Sequence, residues 1–458
     1  MVDRFGRTSR LRSCRMGGRH LHLRFEEKKA FLIADGVSVY TLNHEAAFIT
    51  DLLMQGRRAA EIKKIVSRHF RRIDAAVLGE DIASMKKLLG HLVTGSEPCA
   101  FSPGGREKTF TKSSYDEVLD PGYPFRADLA LTYSCPNRCS HCYAGSENNP
   151  PGLDAETWKQ IIARLADIGV PYLCFTGGEP TLMRCLAELV SFASGLGLIT
   201  GVLTGGRRFC DRDYAASLKD AGLDYVQITL ESGSEAVHNE MTGRRAWHET
   251  VEGIKSCVAE GMVVVTNTTL TRANLDTAAL TAAFSASLGV KSVAANTIIA
   301  TGKARANGID AVPCAWLPQV VEDMQLGARA GGARFLWYSP TPYCMFNPFE
   351  LDLGVKRCSA ASGSIAIDPS GKVLPCQSFF VPAGDILADD WEDIRNGPVF
   401  SRVRSWRSGI YACGDCPDAG LCRGGCPLQE DFDLELRRCP GAYGTAATTG
   451  KKHGYAAL

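Results

Sequence analysis

The chain has 458 residues, of which 45% are hydrophobic and 22% charged, and its formal net charge at pH 7 is +1. This composition is that of a globular protein with about two or three domains, and the near-neutral charge gives no electrostatic reason to expect nucleic acid or an acidic membrane surface as a partner. No apolar run reaches the roughly 18–20 residues that span a bilayer, and we see no hydrophobic signal segment. We therefore expect a soluble, cytoplasmic protein.

The amino-terminal part divides into a basic arm and a small domain. Residues 1–19 are rich in arginine and are predicted to form a flexible arm. In residues 20–95, short apolar alternations on either side of Asp35-Gly36 predict strands. Apolar residues at helical spacing then predict three helices, the first capped by Asn43. Strands followed by three helices indicate a winged-helix-like domain.

The small domain also carries a family pattern, in the succession Val39-Tyr40-Thr41-Leu42-Asn43-His44-Glu45-Ala46-Ala47 followed by Gly56 and Ala60-Glu61-Ile62. It resembles the pyrroloquinoline-quinone-D family, whose domains bind the leader segments of precursor peptides by adding a strand to a sheet edge. The resemblance implies a precursor peptide as partner. The alternative is a cap that only shields the rest of the molecule.

Residues 96–125 are rich in Pro, Gly, Ser and Lys and are predicted to be a linker. From 126 to 306, strand-like apolar runs alternate with helical stretches, which predicts an α/β fold with a parallel sheet. The six predicted strands are Leu129 to Tyr133, Tyr172 to Thr176, Thr200 to Thr204, Tyr225 to Leu230, Val263 to Leu270 and Ser292 to Ile299.

Three cysteines follow the first of these strands in the run Cys-Pro-Asn-Arg-Cys-Ser-His-Cys-Tyr, namely Cys135, Cys139 and Cys142. Three thiolates at this spacing can hold three irons of a cubane cluster and leave the fourth iron open to a ligand. A zinc knuckle would need four closed ligands. His141 is available for that, but we expect it to face solvent or backbone. A disulfide framework is disfavoured because disulfides are uncommon in reducing compartments.

The run Phe175-Thr176-Gly177-Gly178-Glu179-Pro180 ends the second predicted strand. Together with the cysteine loop it resembles the radical S-adenosylmethionine (SAM) superfamily. That resemblance implies a partial (β/α)6 barrel over residues 126–306, a SAM-binding [4Fe-4S] cluster and a 5′-deoxyadenosyl radical. Active sites of such barrels lie at the carboxyl ends of the strands, where both motifs fall.

The glycines Gly177 and Gly178 have no side chains, which would let SAM approach the backbone. Glu179 is expected to accept a hydrogen bond from the methionyl ammonium, and Pro180 to stiffen the turn. By the resemblance, Tyr143 matches an aromatic position near adenine, and Gly302-Lys303-Ala304 an adenine-side turn. Further SAM contacts are predicted at strand ends, at Thr204, Glu231, Ser232 and Asn267.

After a bridging segment at 307–343, residues 344–440 hold a second cysteine pattern. Cys358 is followed by twelve residues, Gly371, four residues and Cys376, and later by Cys413-x2-Cys416-x5-Cys422-x3-Cys426-x12-Cys439. This spacing resembles the SPASM extension of enzymes that mature subtilosin, pyrroloquinoline quinone, anaerobic sulfatases and mycofactocin. Residues 441–458 are predicted to be a tail.

The SPASM resemblance implies two auxiliary [4Fe-4S] clusters. By analogy, the first would use Cys344, Cys358, Cys376 and Cys426, and the second Cys413, Cys416, Cys422 and Cys439. If Cys344 does not bind, the first cluster has an open iron. Two structural zinc ions are the alternative, because sites of four cysteines suit zinc.

These resemblances imply a radical SAM oxidoreductase that abstracts hydrogen from an unactivated carbon. The leading hypothesis is maturation, by oxidative crosslinking, of a ribosomally made precursor peptide, with flavodoxin or ferredoxin as reductant. One alternative is a sulfatase-type maturase, although Gln377 stands where those enzymes have Asp. Others are a haem-pathway oxidase or decarboxylase, peptide epimerisation and an electron carrier. Candidate pocket residues are Tyr338, Tyr343, Gln377 and Asp385.

Overall fold

The computed structural model describes residues 10–26, 29–35, 38–70, 75–94, 110–112, 122–144, 152–299, 301–309, 312–405 and 416–429. They form an amino-terminal sheet with three helices, a parallel αβ unit and a cysteine-rich carboxyl-terminal part. Within these ranges, no helix combines the length and the apolar character needed to cross a membrane.

The amino-terminal unit is an antiparallel sheet with its strands in chain order. The strands are β1 (Leu11–Met16), β2 (Arg19–Phe25), β3 (Ala30–Ala34), β4 (Ser38–Leu42) and β5 (Phe110–Lys112). Three helices follow β4 in the chain, namely α1 (His44–Met54), α2 (Ala59–His69) and α3 (Ala75–Thr94). The Asn43 side chain caps α1 by accepting a hydrogen bond from Ala46 N at 2.8 Å, as predicted.

The prediction of a flexible arm over residues 1–19 is wrong for its second half, where residues 11–16 form strand β1 and pair with β2. Their arginines find carboxylate partners, which an unattached arm would not supply. Arg12 lies 3.9 Å from Asp51, and Arg15 lies 3.0 Å from Asp224. Residues 1–9 lie outside the described residues.

All six strands predicted for the barrel are present, and the sheet has more. Its parallel strands are β6 (Arg126–Thr132), β7 (Tyr172–Gly177), β8 (Ile199–Thr204), β9 (Tyr225–Thr229), β10 (Val263–Leu270), β11 (Ser292–Thr297), β12 (Arg334–Trp337) and β13 (Ser364–Ile367). The helices along it are α4 (Ala155–Ile168), α5 (Leu186–Gly195), α6 (Arg212–Asp220), α7 (Glu235–Thr242), α8 (Trp247–Ala259), α9 (Ala278–Ser287), α10 (Gly302–Ala306) and α11 (Leu317–Ala330).

The bridging segment therefore contributes β12, which pairs with β11, while β13 pairs with β6 at the other side. Beyond β13 the sheet continues antiparallel through β14 (Lys372–Leu374) and β15 (Gly384–Asp385). The sheet order is β12-β11-β10-β9-β8-β7-β6-β13-β14-β15. The cysteine-rich part also holds α12 (Trp391–Asn396), α13 (Pro398–Ser405) and α14 (Ala419–Cys422).

The amino-terminal sheet docks on the end of the barrel where the parallel strands begin. Asp224, directly before β9, accepts hydrogen bonds from Arg15 at 3.0 Å and from His20 Nε2 at 2.8 Å. The other oxygen of Asp224 accepts from Thr200 N at 2.8 Å. One carboxylate thus joins β1 and β2 to two barrel strands.

Two further side chains of β2 are buried in this contact. His22 Nε2 donates to Gly197 O at 2.9 Å, and the ring is fully buried. Arg24 is also fully buried and donates to the carbonyls of Tyr123 and Pro124, at 3.1 and 3.2 Å. Because His22 and Arg24 are buried, these hydrogen bonds matter for stability, since an unpaired polar group at a buried position is costly.

Candidate active site

The cysteine loop leaves the carboxyl end of β6 and is tied down by neighbouring backbone. Arg138 N donates to Thr242 O at 2.9 Å, and Lys303 N donates to Cys142 O at 2.8 Å. Gly302 has φ of 55°, and a Cβ placed on it would lie 2.1 Å from Tyr143 O. The turn that begins α10 therefore fits against the loop only as glycine. Its position next to Cys142 and Tyr143 agrees with the turn expected from sequence.

The Gly-Gly pair at the end of β7 packs against the start of the same loop. A Cβ on Gly177 would lie 2.1 Å from Thr132 O, and one on Gly178 would lie 2.4 Å from Ser134 O. Gly178 N and Glu179 N donate to Thr132 O and Ser134 O, at 2.7 and 2.9 Å. The glycines are thus required by the close approach of β6, whereas the sequence analysis expected them to make room for a ligand.

Glu179 is the centre of a buried hydrogen-bond cluster. Its Oε1 accepts from Thr181 N at 3.1 Å, Thr181 Oγ1 at 2.8 Å and Thr204 Oγ1 at 2.7 Å. Its Oε2 accepts from Gly205 N at 2.9 Å. The carboxylate therefore joins the ends of β7 and β8. A carboxylate oxygen has two acceptor positions, and Oε2 has one such bond among the described residues.

His141 faces neither solvent nor backbone, contrary to expectation. Its Nε2 lies 2.8 Å from Glu231 Oε1, and both side chains are buried. Although burial opposes the charged form, the Glu231 carboxylate raises the pKa of His141. Glu231 Oε2 accepts from Thr269 N at 2.9 Å. The partner was missed because it lies on a distant strand end.

The other predicted SAM contacts are spread along the same ends of the strands. Asn267 on β10 donates through Nδ2 to Asn296 at 2.8 Å, and its buried Oδ1 has no hydrogen-bond partner in the part of the chain that is described. The Tyr143 hydroxyl donates to Gly177 O at 3.2 Å. The Ser232 hydroxyl donates to Thr277 Oγ1 at 2.8 Å and accepts from Ser234 N, so both of its hydrogen bonds are made to protein atoms.

A polar group deeper in the sheet was missed by sequence reasoning. Arg126 Nε donates to Asp128 Oδ1 at 2.6 Å on β6. Cys174 Sγ on β7 lies 3.1 Å from the hydroxyl of Tyr225 on β9, across the intervening strand β8. Cys174 is buried, and the Tyr225 hydroxyl is its polar partner. Burial raises the pKa values of Cys174, Tyr143 and Cys376, and the negative charge of Asp128 raises them further. The alternation of polar residues along β6 was the signal available in the sequence.

The carboxyl-terminal cysteines that are described lie in two neighbourhoods. Cys376 and Cys358 interact electrostatically, and burial raises the pKa of the Cys376 thiol to about 12. Cys422 accepts N–H hydrogen bonds from Tyr343 at 3.2 Å and Gly424 at 3.3 Å, and it interacts with Cys416. Such bonds to a ligand sulfur help to set the potential of an iron–sulfur cluster.

Cys344 is exposed. Cys413 and Cys439 lie outside the described residues.

The remaining candidate pocket residues do not converge. Tyr343 is buried, and its hydroxyl accepts from Lys356 N at 3.0 Å. Asp385 on β15 binds Lys372 Nζ at 3.1 Å. Tyr338 follows β12 and is 43% exposed. Gln377 alone contacts the cysteine loop, through the Tyr143 hydroxyl at 3.4 Å.

The donor atoms of these residues fit the cofactors that the motifs imply, although within the described residues no three His, Cys, Asp or Glu side chains already stand together as a metal-binding group. Thiols are the donors that iron–sulfur clusters take, and three of them lie on one loop whose backbone is fixed by its neighbours. Cys135 is exposed on this loop, and its thiol loses its proton when it binds a metal. Buried atoms beside the loop, His141 Nδ1 and Asn267 Oδ1, have no bond among the residues described.

Comparisons with known proteins support both motif assignments. Residues 129–281 match the model of the radical SAM superfamily, and residues 358–417 match that of the SPASM iron–sulfur cluster-binding domain. A "PqqA peptide cyclase" of Bradyrhizobium diazoefficiens is 29% identical over 327 residues, which are 67% of this chain and 82% of that protein. An "AdoMet-dependent heme synthase" of Oleidesulfovibrio alaskensis is 26% identical over 333 residues, 68% of this chain and 84% of that protein.

Solved structures show the same fold. Streptococcus suis SuiB bound to its precursor peptide SuiA has a TM-score of 0.66 at 15% identity, covering 91% of this chain and 96% of SuiB. SuiB bound to SAM gives 0.64 at 16% identity with the same coverage. Native anSMEcpe with bound AdoMet gives 0.52 at 14% identity, over 68% of this chain and 92% of that one. The chain therefore carries a region that matches the radical SAM superfamily and a region that matches the SPASM domain, and it is an enzyme that uses SAM and [4Fe-4S] clusters.

Proposed function

We propose that this enzyme oxidatively modifies a ribosomally made precursor peptide, by forming a crosslink within it. The observation that carries this proposal is the likeness in fold to SuiB over 91% of this chain and 96% of SuiB, a protein crystallised with a precursor peptide. Likeness in sequence to PqqA peptide cyclases supports the same class of substrate.

In this proposal Cys135, Cys139 and Cys142 hold the SAM-binding cluster. Bound SAM and its cluster supply the 5′-deoxyadenosyl radical that takes a hydrogen atom from the substrate. Glu179 Oε2 accepts from the methionyl ammonium alongside Gly205 N, and Asn267 Oδ1 provides a second buried acceptor. The other residues proposed to line the SAM site are Tyr143, Gly177, Gly178, Pro180, Thr204, Glu231 and Ser232.

Two auxiliary clusters held by the carboxyl-terminal cysteines would supply an acceptor for the electron that the substrate radical loses. The proposed ligands of the first are Cys344, Cys358, Cys376 and Cys426, and those of the second are Cys413, Cys416, Cys422 and Cys439. The interactions of Cys358 with Cys376 and of Cys416 with Cys422 support these sets. A flavodoxin or ferredoxin supplies the reducing electron.

The amino-terminal domain is proposed to bind the leader of the precursor peptide. Antiparallel strands followed by three helices match the pattern of the pyrroloquinoline-quinone-D family, and peptides bind such sheets by strand addition. The β4 edge is paired with the short strand β5 over Tyr40, Thr41 and Leu42. A leader that uses this edge has to replace β5.

The test is anaerobic co-expression with the short peptide encoded beside the gene, followed by mass spectrometry. We expect the peptide to lose a pair of hydrogen atoms, and we expect no change when Cys139→Ala removes a cluster ligand. An unmodified peptide with a fully cluster-loaded enzyme would contradict the proposal. Fragmentation of the modified peptide identifies the bond.

The second candidate is a small-molecule oxidase or decarboxylase, favoured by the likeness to the AdoMet-dependent heme synthase. Turnover of a tetrapyrrole by the cluster-loaded enzyme, with no change in the peptide, would support it. A sulfatase-type reaction is less well supported, because Gln377 is an amide and cannot accept a proton as a carboxylate does.

A further inference from the structure

The residues after Cys376 lie against the cysteine loop at two points. Gln377 Oε1 lies 3.4 Å from the hydroxyl of Tyr143, which follows Cys142. The Phe380 ring packs edge-on against Tyr133, which comes two residues before Cys135, with ring centroids 5.8 Å apart. Residues 377–381, which we name the recognition segment, therefore reach from Cys376 to the SAM-cluster loop.

Gln377 has hydrogen-bonding capacity left over. Its side chain is half-buried, and its contact with Tyr143 is the one hydrogen bond that the structure gives it within the described residues. A glutamine amide offers two N–H donors and an acceptor oxygen. A peptide group offers one donor and one acceptor, so it can pair with this amide through both.

Phe380 and Val381 are apolar yet 39% and 50% exposed. No residue from Cys376 to Ala383 carries a charge. Their exposed apolar area, beside the cysteine loop, is available to an apolar side chain of a bound partner. The uncharged character of the whole run favours an apolar partner over an acidic or basic one.

We propose that the recognition segment binds the substrate peptide beside the residue that is modified. Gln377 pairs with a backbone peptide group, and Phe380 and Val381 receive an apolar side chain of the peptide. This inference rests on the proposed function and adds a sequence requirement to it, namely an uncharged apolar residue next to the modified position.

The test measures the affinity of the cluster-loaded, full-length enzyme for a synthetic copy of the peptide encoded beside the gene. Phe380→Ala is expected to weaken binding about tenfold, because it removes apolar area that the peptide covers. Gln377→Met keeps the volume without the amide and is expected to weaken binding about fivefold. Leu387→Ala is the matched control, since Leu387 is 43% exposed in the same domain, and it should leave affinity and turnover unchanged.

A second measurement does not depend on how the variants fold. Wild-type enzyme is titrated with peptides in which each apolar residue near the modified position is replaced by serine. One replacement should weaken binding by about the same factor as Phe380→Ala, and that peptide should bind wild type and Phe380→Ala equally. Equal affinity of the wild-type enzyme for all these peptides would overturn the inference, as would unchanged binding by both segment variants.

Failure of the proposed function has a different signature, because wild-type enzyme would then leave the peptide unmodified.

Discussion

The two ends of the barrel both bury charged and polar side chains, but they satisfy them differently. At the carboxyl ends of the strands, Glu179 and Glu231 have both carboxylate oxygens bonded to neighbouring strands. At the amino ends, the buried His22 donates to a backbone carbonyl, and the buried Arg24 guanidinium lies 3.1 Å from the Glu26 carboxylate. The contacts at the carboxyl ends hold the side chains of the candidate site in place. Those at the amino ends make the docking of the amino-terminal domain depend on the protonation state of His22.

The largest effect is expected from Gly178→Ala at the carboxyl end. Its Cβ would collide with the backbone of Tyr133 and Ser134, which cannot move without displacing the loop of Cys135. We expect a loss of about 3 kcal/mol or more of unfolding free energy and a marked loss of iron. Both are measured by denaturant unfolding and iron analysis.

Gly195→Ala is the control, because nothing lies within 4 Å of its Cβ at the end of α5. It should leave the iron content unchanged. Normal cluster loading of Gly178→Ala would show that the close packing of β6 and β7 is not needed for the site.

The second prediction concerns pH and the amino end. Burial lowers the pKa of His22 from 6.5 to about 4. The native state therefore binds fewer protons than the unfolded chain between these values, and stability falls as the pH drops through this range. The loss reaches about 3 kcal/mol. It is measured by unfolding at about pH 7 and about pH 4.

His22→Gln should flatten this pH dependence. His238 is the counterpart at the carboxyl end, where burial also lowers the pKa to about 4 while Nδ1 accepts from Glu231 N. His238→Gln is therefore expected to remove a separate part of the dependence of the unfolding free energy on pH. If His22→Gln keeps the full wild-type slope, the amino end is not the acid-sensitive contact.

Glu179→Gln tests whether the site at the carboxyl ends of the strands needs a carboxylate that accepts hydrogen bonds through both oxygens. The new amide must direct N–H groups towards either Gly205 N or the Thr181 and Thr204 donors. We expect a loss of about 2 kcal/mol and weaker SAM binding, measured by thermal unfolding and by equilibrium dialysis. The exposed Glu188→Gln on α5 is the control, and it should change neither.

The smallest effect lies away from both ends, at the first turn of α1. Asn43→Ala removes the side-chain bond to Ala46 N and should cost about 1 kcal/mol without changing iron content. Asn43→Ser retains a capping oxygen and should recover most of the loss. An effect of Asn43→Ala on iron content would show that the amino-terminal domain and the cluster loop are coupled.

Local patterns predicted the elements that local physics determines. The Asn43 cap, the six strands and the position of the cysteine loop after β6 all follow from residue type and spacing. The pairing of His141 with Glu231 and the docking of His22 on Gly197 join distant parts of the chain. Such contacts carry no periodic signal, so sequence reasoning missed them. The sequence also pointed to Gly177 and Gly178, but it did not show that the backbone at the end of β6 is what approaches them closely.

The pairing of β13 with β6 has a consequence for how the chain can be divided. Because Ser364–Ile367 completes the hydrogen bonding of β6, a protein cut between the two family-matched regions would expose β6 as an open edge. Unprotected edges of this kind invite pairing with other chains. We expect the isolated catalytic half to aggregate, so the two regions should be inherited, expressed and engineered as one piece.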